Sequence, residues 1–195
     1  MSCDVLLHLK PLQMSQPIIT LSPHVIFYYL SHTNSSPANY NDNMKALLVI
    51  DIQEKYLPYY DADLLTRINA RISAAQKDIE PIFYFRNIGI QGDNDSYALA
   101  RDLHIVSEHI YEKRFPSAFT NDSFVKELTN LNVTELEIIG VDGNSCVKKT
   151  CLDAANAGYK VTLNLNYTAA RNEKIFEKTL KELSDAGVIL INSNS

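Results

Sequence analysis

The chain has 195 residues, 46% hydrophobic and 21% charged, with 18 basic against 23 acidic side chains and a formal net charge of −5. That length suits one α/β domain with a well-buried core and is short for two. The acidic balance argues against a general nucleic-acid binder, which needs clustered Lys and Arg, and no apolar run approaches the roughly 20 residues that span a bilayer.

Residues 1–43 carry Pro11, Pro17, Pro23 and Pro37, many Ser and Asn, no glycine and few charges. Aperiodic, proline-rich sequence of this kind rarely builds a core. The apolar stretch "HVIFYYL" (24–30) is too short to anchor in a membrane, and the first residues lack the basic start of a secretory signal. The expectation is a poorly ordered extension over 1–43 and a working domain over 44–195. A chain begun at Met44 should then keep its cooperativity and thermal midpoint in a melting experiment; a large loss would show that the apolar stretch packs on the domain.

From Met44 the pattern becomes regular. "KALLVID" (45–51) is an apolar run ending in an acid, as buried parallel strands often do. Leu64, Leu65, Ile68, Ile72 and Ala75 recur at helical spacing. "PIFYFRN" (81–87) reads as a second strand and "HIYEK" (109–113) as a short third. A helix over 122–130 follows, with Asp122 as its expected N-cap, then a fourth strand, "ELEIIGVD" (135–142). A helix over 144–157, the strand "YKVTLNL" (159–165), a helix over 172–186 capped by Asn172, and the strand "GVILIN" (187–192) complete the series. Strands alternating with helices imply right-handed crossovers, here a three-layer α/β/α Rossmann-like fold with a six-stranded, mainly parallel sheet.

In such sheets the site lies beyond the carboxyl ends of the strands. That places Asp51, Lys113 and the segment Asp142 to Cys146 on one edge. Three cysteines cannot all pair, and no CxxC is present, so neither a disulfide framework nor a structural zinc site is indicated, and a reducing cytoplasm fits. On the helix after Asn144, Val147, Cys151, Ala154 and Ala155 share the apolar face, which makes Cys151 core filler. Cys146 sits off that face, in the first turn, where unpaired N–H groups, the helix dipole and a nearby Lys113 favour a thiolate. Gly140 and Gly143 permit a tight turn that aims backbone N–H groups at a substrate oxygen. By position alone Cys146 is either a nucleophile or a solvent-facing cysteine, and Asp51 either a proton carrier or an ordinary helix-start acid.

The segments "LLVIDIQEKY" (47–56), "EKRFPSAF" (112–119) and "GVDGNSCVKKTCLDAANAGYKV" (140–161) resemble the isochorismatase-like cysteine hydrolases, a family that includes nicotinamidases and ureidoacrylate and carbamoylsarcosine amidohydrolases. The likeness covers about 44 to 192. It implies a triad of Asp51, Lys113 and Cys146, a cis peptide between Val141 and Asp142, and an oxyanion hole from the amides of Asp142 and Cys146. The family's Asp-x-Gln falls on Asp51 and Gln53, with Tyr56 in place of the usual Phe. Gln53, Tyr56, Phe115, Phe119 and Val141 are the candidate substrate-binding residues, the three aromatics reading equally as core packing. The resemblance implies hydrolysis of a C–N bond in a small amide or ureide through a thioester, with no cofactor, and a homo-oligomer, dimer or tetramer.

Departures from the family pattern narrow the substrate. Nicotinamidases carry an Asp-x-His metal motif after the second strand, where this chain has Arg86 and Asn87. Asp93, Asp95, His104 and His109 lack the compact spacing of a ligand set and read as solvated loop residues and surface histidines. No metal is therefore expected. True isochorismatases cleave a vinyl ether and often lack the cysteine, so Cys146 favours C–N chemistry. Two other readings stand beside the hydrolase: a redox pair of Cys146 and Cys151, opposed by their different helix faces, and a catalytically silent scaffold.

Overall fold

The computed structural model describes residues 44–92 and 95–192; the expectations for 1–43 and for Asp93 fall outside them. Six strands form one sheet: β1 (Met44–Ile50), β2 (Ile82–Asn87), β3 (Ile110–Lys113), β4 (Val133–Gly140), β5 (Lys160–Thr168) and β6 (Ile189–Ile191). Their spatial order is β3-β2-β1-β4-β5-β6, and all five pairings are parallel. Four helices connect them: α1 (Leu64–Lys77), α2 (Asp122–Asn130), α3 (Cys146–Asn156) and α4 (Glu173–Asp185).

Both faces of the sheet are covered, which is why β1 is apolar at nearly every position rather than at alternate ones. Leu47 and Val49 face Leu64, Ile68, Ile72 and Ala75 of α1. Ala46, Leu48 and Ile50 face the other layer, with Phe124 and Leu128 of α2, Val147, Cys151 and Ala154 of α3, and Leu183 of α4. Phe124 lies at the centre of an aromatic cluster, its ring centroid 4.7 Å from Phe85, 5.4 Å from Phe83 and 5.5 Å from Phe119.

The N-cap of α2 is Asn121, whose side chain accepts from the Phe124 N–H; Asp122 is instead the first helical residue. The one-residue offset from the sequence reading has a local cause. Asn121 has extended backbone and Asp122 does not, and only the extended residue turns its side chain toward the orphan N–H groups. Asn172 caps α4 in the expected way. Strand β5 runs to Thr168 rather than Leu165, because the polar Asn164 finds a buried partner in Glu137 and the strand regains register with β4 at Gly140 after an irregularity.

Glu137 also anchors an ionic cluster under the sheet. Arg71 grips it through two bonds of 2.8 and 2.9 Å, Lys45 approaches to 2.6 Å, and Glu80 shares Arg71. Burial pushes the Glu137 carboxyl up, but its bonds to Arg71 and Lys45 outweigh this and bring it to about 2. Because the folded value lies below the unfolded one, this stability is present above pH ~4.5 and is lost as the pH falls toward 2. Glu137→Ala should cost about 3–5 kcal/mol in chemical denaturation, since it leaves Arg71 buried without its main counter-charge.

No helix among the described residues is long and apolar enough to cross a membrane. The strand order reverses direction between β1 and β4, and in open parallel sheets that crevice is where ligands bind.

Candidate active site

Asp51 is the first residue after β1. It is buried, and its backbone is left-handed with φ of 53°, a conformation that costs a non-glycine residue energy and collects at functional sites. Lys113 closes β3, with a side chain shut off from solvent, and its Nζ donates to Asp51 Oδ2 at 2.8 Å. The second oxygen, Asp51 Oδ1, is buried with no hydrogen-bond partner among the described residues. An ion pair this deep repays its desolvation only when the remaining lone pairs are also satisfied, and the Cys146 thiol is the neighbouring group that can serve this carboxylate.

Cys146 opens α3 across the crevice. The chain reaches it through Gly140, whose φ is 118°; a Cβ there would lie 2.2 Å from the carbonyl oxygen of Ile50. Only glycine lets β4 end this close to β1. The Val141–Asp142 peptide is cis. In the following turn the N–H groups of Ser145 and Val147 donate to the Asp142 carbonyl, that of Gly143 to Ala169, and that of Asn144 to the Asp142 side chain. The N–H groups of Asp142 and Cys146 take no acceptor among the described residues. Two free donors thus flank the thiol.

The electrostatics depart from the sequence reading. Burial, and next the charge of Asp51, push the Cys146 thiol up to about 11, while Lys113 pulls the other way. The expected lowering at a helix N-terminus is overridden because the sulfur is largely desolvated and the Lys113 charge is already engaged by a carboxylate. Asp51 is likewise raised, its burial outweighing the ammonium. At neutral pH the resting thiol is therefore protonated, and the carboxylate beside it takes up a proton more readily than an ordinary aspartate. Cys151 is fully buried in the core, and burial pushes its thiol to about 12.

A cavity of about 430 Å³ opens onto the thiol. Asp51, Tyr56, Val141, Asp142, Asn144 and Cys146 line it, together with residues that the sequence reading did not select: Tyr60, Asn87 and Arg171. Three candidates stand elsewhere. Phe119 packs against Phe124 and Tyr159, inside the core. Phe115 is 57% exposed and borders a neighbouring groove. Gln53 is wholly buried, its side chain spent on the backbone of Asn87 and Tyr97. Gln53 thereby fixes Asn87, which is the residue that reaches the thiol: Asn87 Nδ2 lies 3.9 Å from Cys146 Sγ, while its Oδ1 accepts from Gly89 N–H.

Residues 45–195 match the model of the isochorismatase domain family. The chain belongs to the isochorismatase family. It is accordingly a hydrolase, of α/β fold. Nicotinamidase 3 of Arabidopsis thaliana is 25% identical over 172 residues, a match that covers 78% of this chain and 86% of that protein. Among solved structures, the pyrazinamidase of Pyrococcus horikoshii in complex with zinc aligns with a TM-score of 0.68 at 20% identity, over 76% of this chain and 99% of that one. The nicotinamidase of Bacillus subtilis aligns with a TM-score of 0.66 at 19% identity, over 76% and 99%.

The zinc in the Pyrococcus structure raises the question of a metal here. The residues at the end of β2 do not suit one. Asn87 turns its NH₂ to the sulfur and commits its oxygen, and Arg86 is paired with Glu112. Among the described residues no group of three or more His, Cys, Asp or Glu side chains is arranged to hold a cation.

Proposed function

We propose that this family member is a cysteine amidase acting on the C–N bond of a small amide or ureide, with Cys146 as nucleophile, Asp51 as proton carrier and Lys113 as the cation that keeps Asp51 in place. The observation that carries the reading is the buried Asp51–Lys113 pair with one carboxylate oxygen unspent, next to a thiol flanked by two unpaired N–H groups. Similarity to a nicotinamidase over most of its length supports an amide rather than a vinyl ether.

The chemistry follows from these positions. The Cys146 thiol gives its proton to Asp51 as the sulfur attacks the substrate carbonyl carbon. The carbonyl π electrons move to oxygen, and the amides of Asp142 and Cys146 meet the resulting oxyanion. Collapse breaks the C–N bond, and the departing nitrogen takes the proton from Asp51 as ammonia or amine. Water then attacks the thioester, one proton returns through Asp51 to the sulfur, and the acid leaves. The raised values of both groups suit this exchange, because a transfer between them needs no solvent-stabilised thiolate.

Ammonia release across a panel of small amides and ureides tests the reading. Wild-type protein should release ammonia from at least one class, and exhaustive chelation should leave the rate unchanged. Loss of turnover that zinc restores would favour a metal-assisted, nicotinamidase-type hydrolase instead.

A further inference from the structure

One cation in the cavity, Arg171, makes no direct salt bridge among the described residues. Asp51 and Lys113 neutralise each other, and the oxygens of Asp142 are taken by the Tyr60 hydroxyl at 3.1 Å, the Asn144 N–H at 2.7 Å and the Arg171 backbone N–H at 2.9 Å. The Arg171 guanidinium has the Tyr60 hydroxyl as a hydrogen-bond partner and feels the Asp142 charge without a direct ion pair to it. It lies over the Tyr59 ring, 4.2 Å from its centroid, with the Tyr56 and Tyr60 rings at 5.8 and 5.9 Å. Arginine packed on ring faces is held in position, and the in-plane N–H donors that Tyr60 does not engage stay available for recognition of a carboxylate. Tyr56 connects the two ends of the cavity, since it also feels the charges of Asp51 and Cys146.

We infer that Arg171 binds an anionic group of the substrate, so that the amides or ureides this site hydrolyses carry a carboxylate or similar anion a few bonds from the scissile carbonyl. This rests on the amidase reading above, because it assumes that the substrate's other end lies at Cys146. Asp142, the carboxylate nearest to Arg171, already accepts from three donors, and Asn87, Asn144 and Val141 are neutral, so Arg171 is the cationic group of the lining that an anion can reach.

Two alkylating reagents of nearly the same size, one anionic and one neutral, provide the test. The rate constants of iodoacetate and iodoacetamide at Cys146 are measured by peptide mapping, and their ratio is compared with that for glutathione. Taking the ratio cancels any general change in thiol reactivity. Wild-type protein should favour iodoacetate by about tenfold relative to glutathione, the gain expected of one charge-assisted pair. Arg171→Gln should bring the ratio back to the glutathione value, and Arg171→Lys should keep part of the preference. Among hydrolysed amides, succinamate should likewise be preferred to butanamide, and Arg171→Gln should remove that preference through KM. A ratio that is the same in wild type and Arg171→Gln overturns the inference and leaves the nucleophile untouched. Failure of both reagents to label Cys146 in the native protein even at alkaline pH, where its raised thiol ionises, would overturn the amidase reading, and the substrate class with it.

Discussion

Cys146→Ala is expected to lower turnover by roughly four to six orders of magnitude while leaving the circular dichroism spectrum and the melting midpoint nearly unchanged. Cys146 as a residue is only partly buried, and its thiol contacts Asn87 and the Asp51–Lys113 pair rather than core side chains. Little packing is lost with it. Cys151→Ser should behave in the opposite way. It inserts a hydroxyl among Val147, Ala154 and the strands of the sheet, which costs about 1–3 kcal/mol in denaturant titration, and it should keep its rate. The pH dependence of alkylation carries the same distinction. With its thiol near 11, Cys146 should react faster as the pH rises well beyond neutrality, rather than reach a plateau near pH 7.

The second large effect concerns the buried pair. Lys113→Met leaves the Asp51 carboxylate in the interior with no cation, and Asp51→Asn leaves the Lys113 ammonium with no anion. Each change should cost about 3–5 kcal/mol, read from denaturant midpoints, and each should abolish turnover. The double variant, Asp51→Asn with Lys113→Met, removes both charges and should regain much of the lost stability. It should remain inactive. A double variant as unstable as the sum of the two single ones would mean that the residues act independently, contrary to the 2.8 Å contact.

The architecture was readable in the sequence because this fold announces itself locally. Buried parallel strands are continuous apolar runs, and each expected strand overlaps an observed one, with β4 starting two residues earlier at Val133 and β5 ending three later at Thr168. Strand ends are harder to read because polar residues there can be rescued by partners distant in sequence, as Asn164 is by Glu137. The edge on which Asp51, Lys113 and Cys146 meet was equally open to inference, since each ends a strand or opens a helix. The cavity walls were not. Whether Phe119 faces the substrate or Phe124 depends on the side chains of α2, and no spacing within "SAF" encodes it. Gln53 and Asn87 are separated by 34 positions, so their relation appears only when β1 and β2 lie side by side. Arg171 gives no signal in its own segment. It enters the cavity because β5 continues past its apolar stretch and carries the chain back to Asp142. The direction of the thiol's shift was missed for a related reason: a helix N-terminus is visible in sequence, whereas the depth of burial that outweighs it is a property of the assembled site.

The central claim is that Cys146 becomes acylated during turnover. Trypsin cuts after Lys148 and Lys149, so Cys146 and Cys151 fall on separate peptides. Protein mixed with the amide that releases most ammonia, quenched in acid within the first turnovers and digested, can be read by mass spectrometry. The acyl mass should appear on the peptide containing Cys146, in wild type and never in Cys146→Ala. An acyl group on the Cys151 peptide, or full ammonia release by Cys146→Ala, would contradict the account.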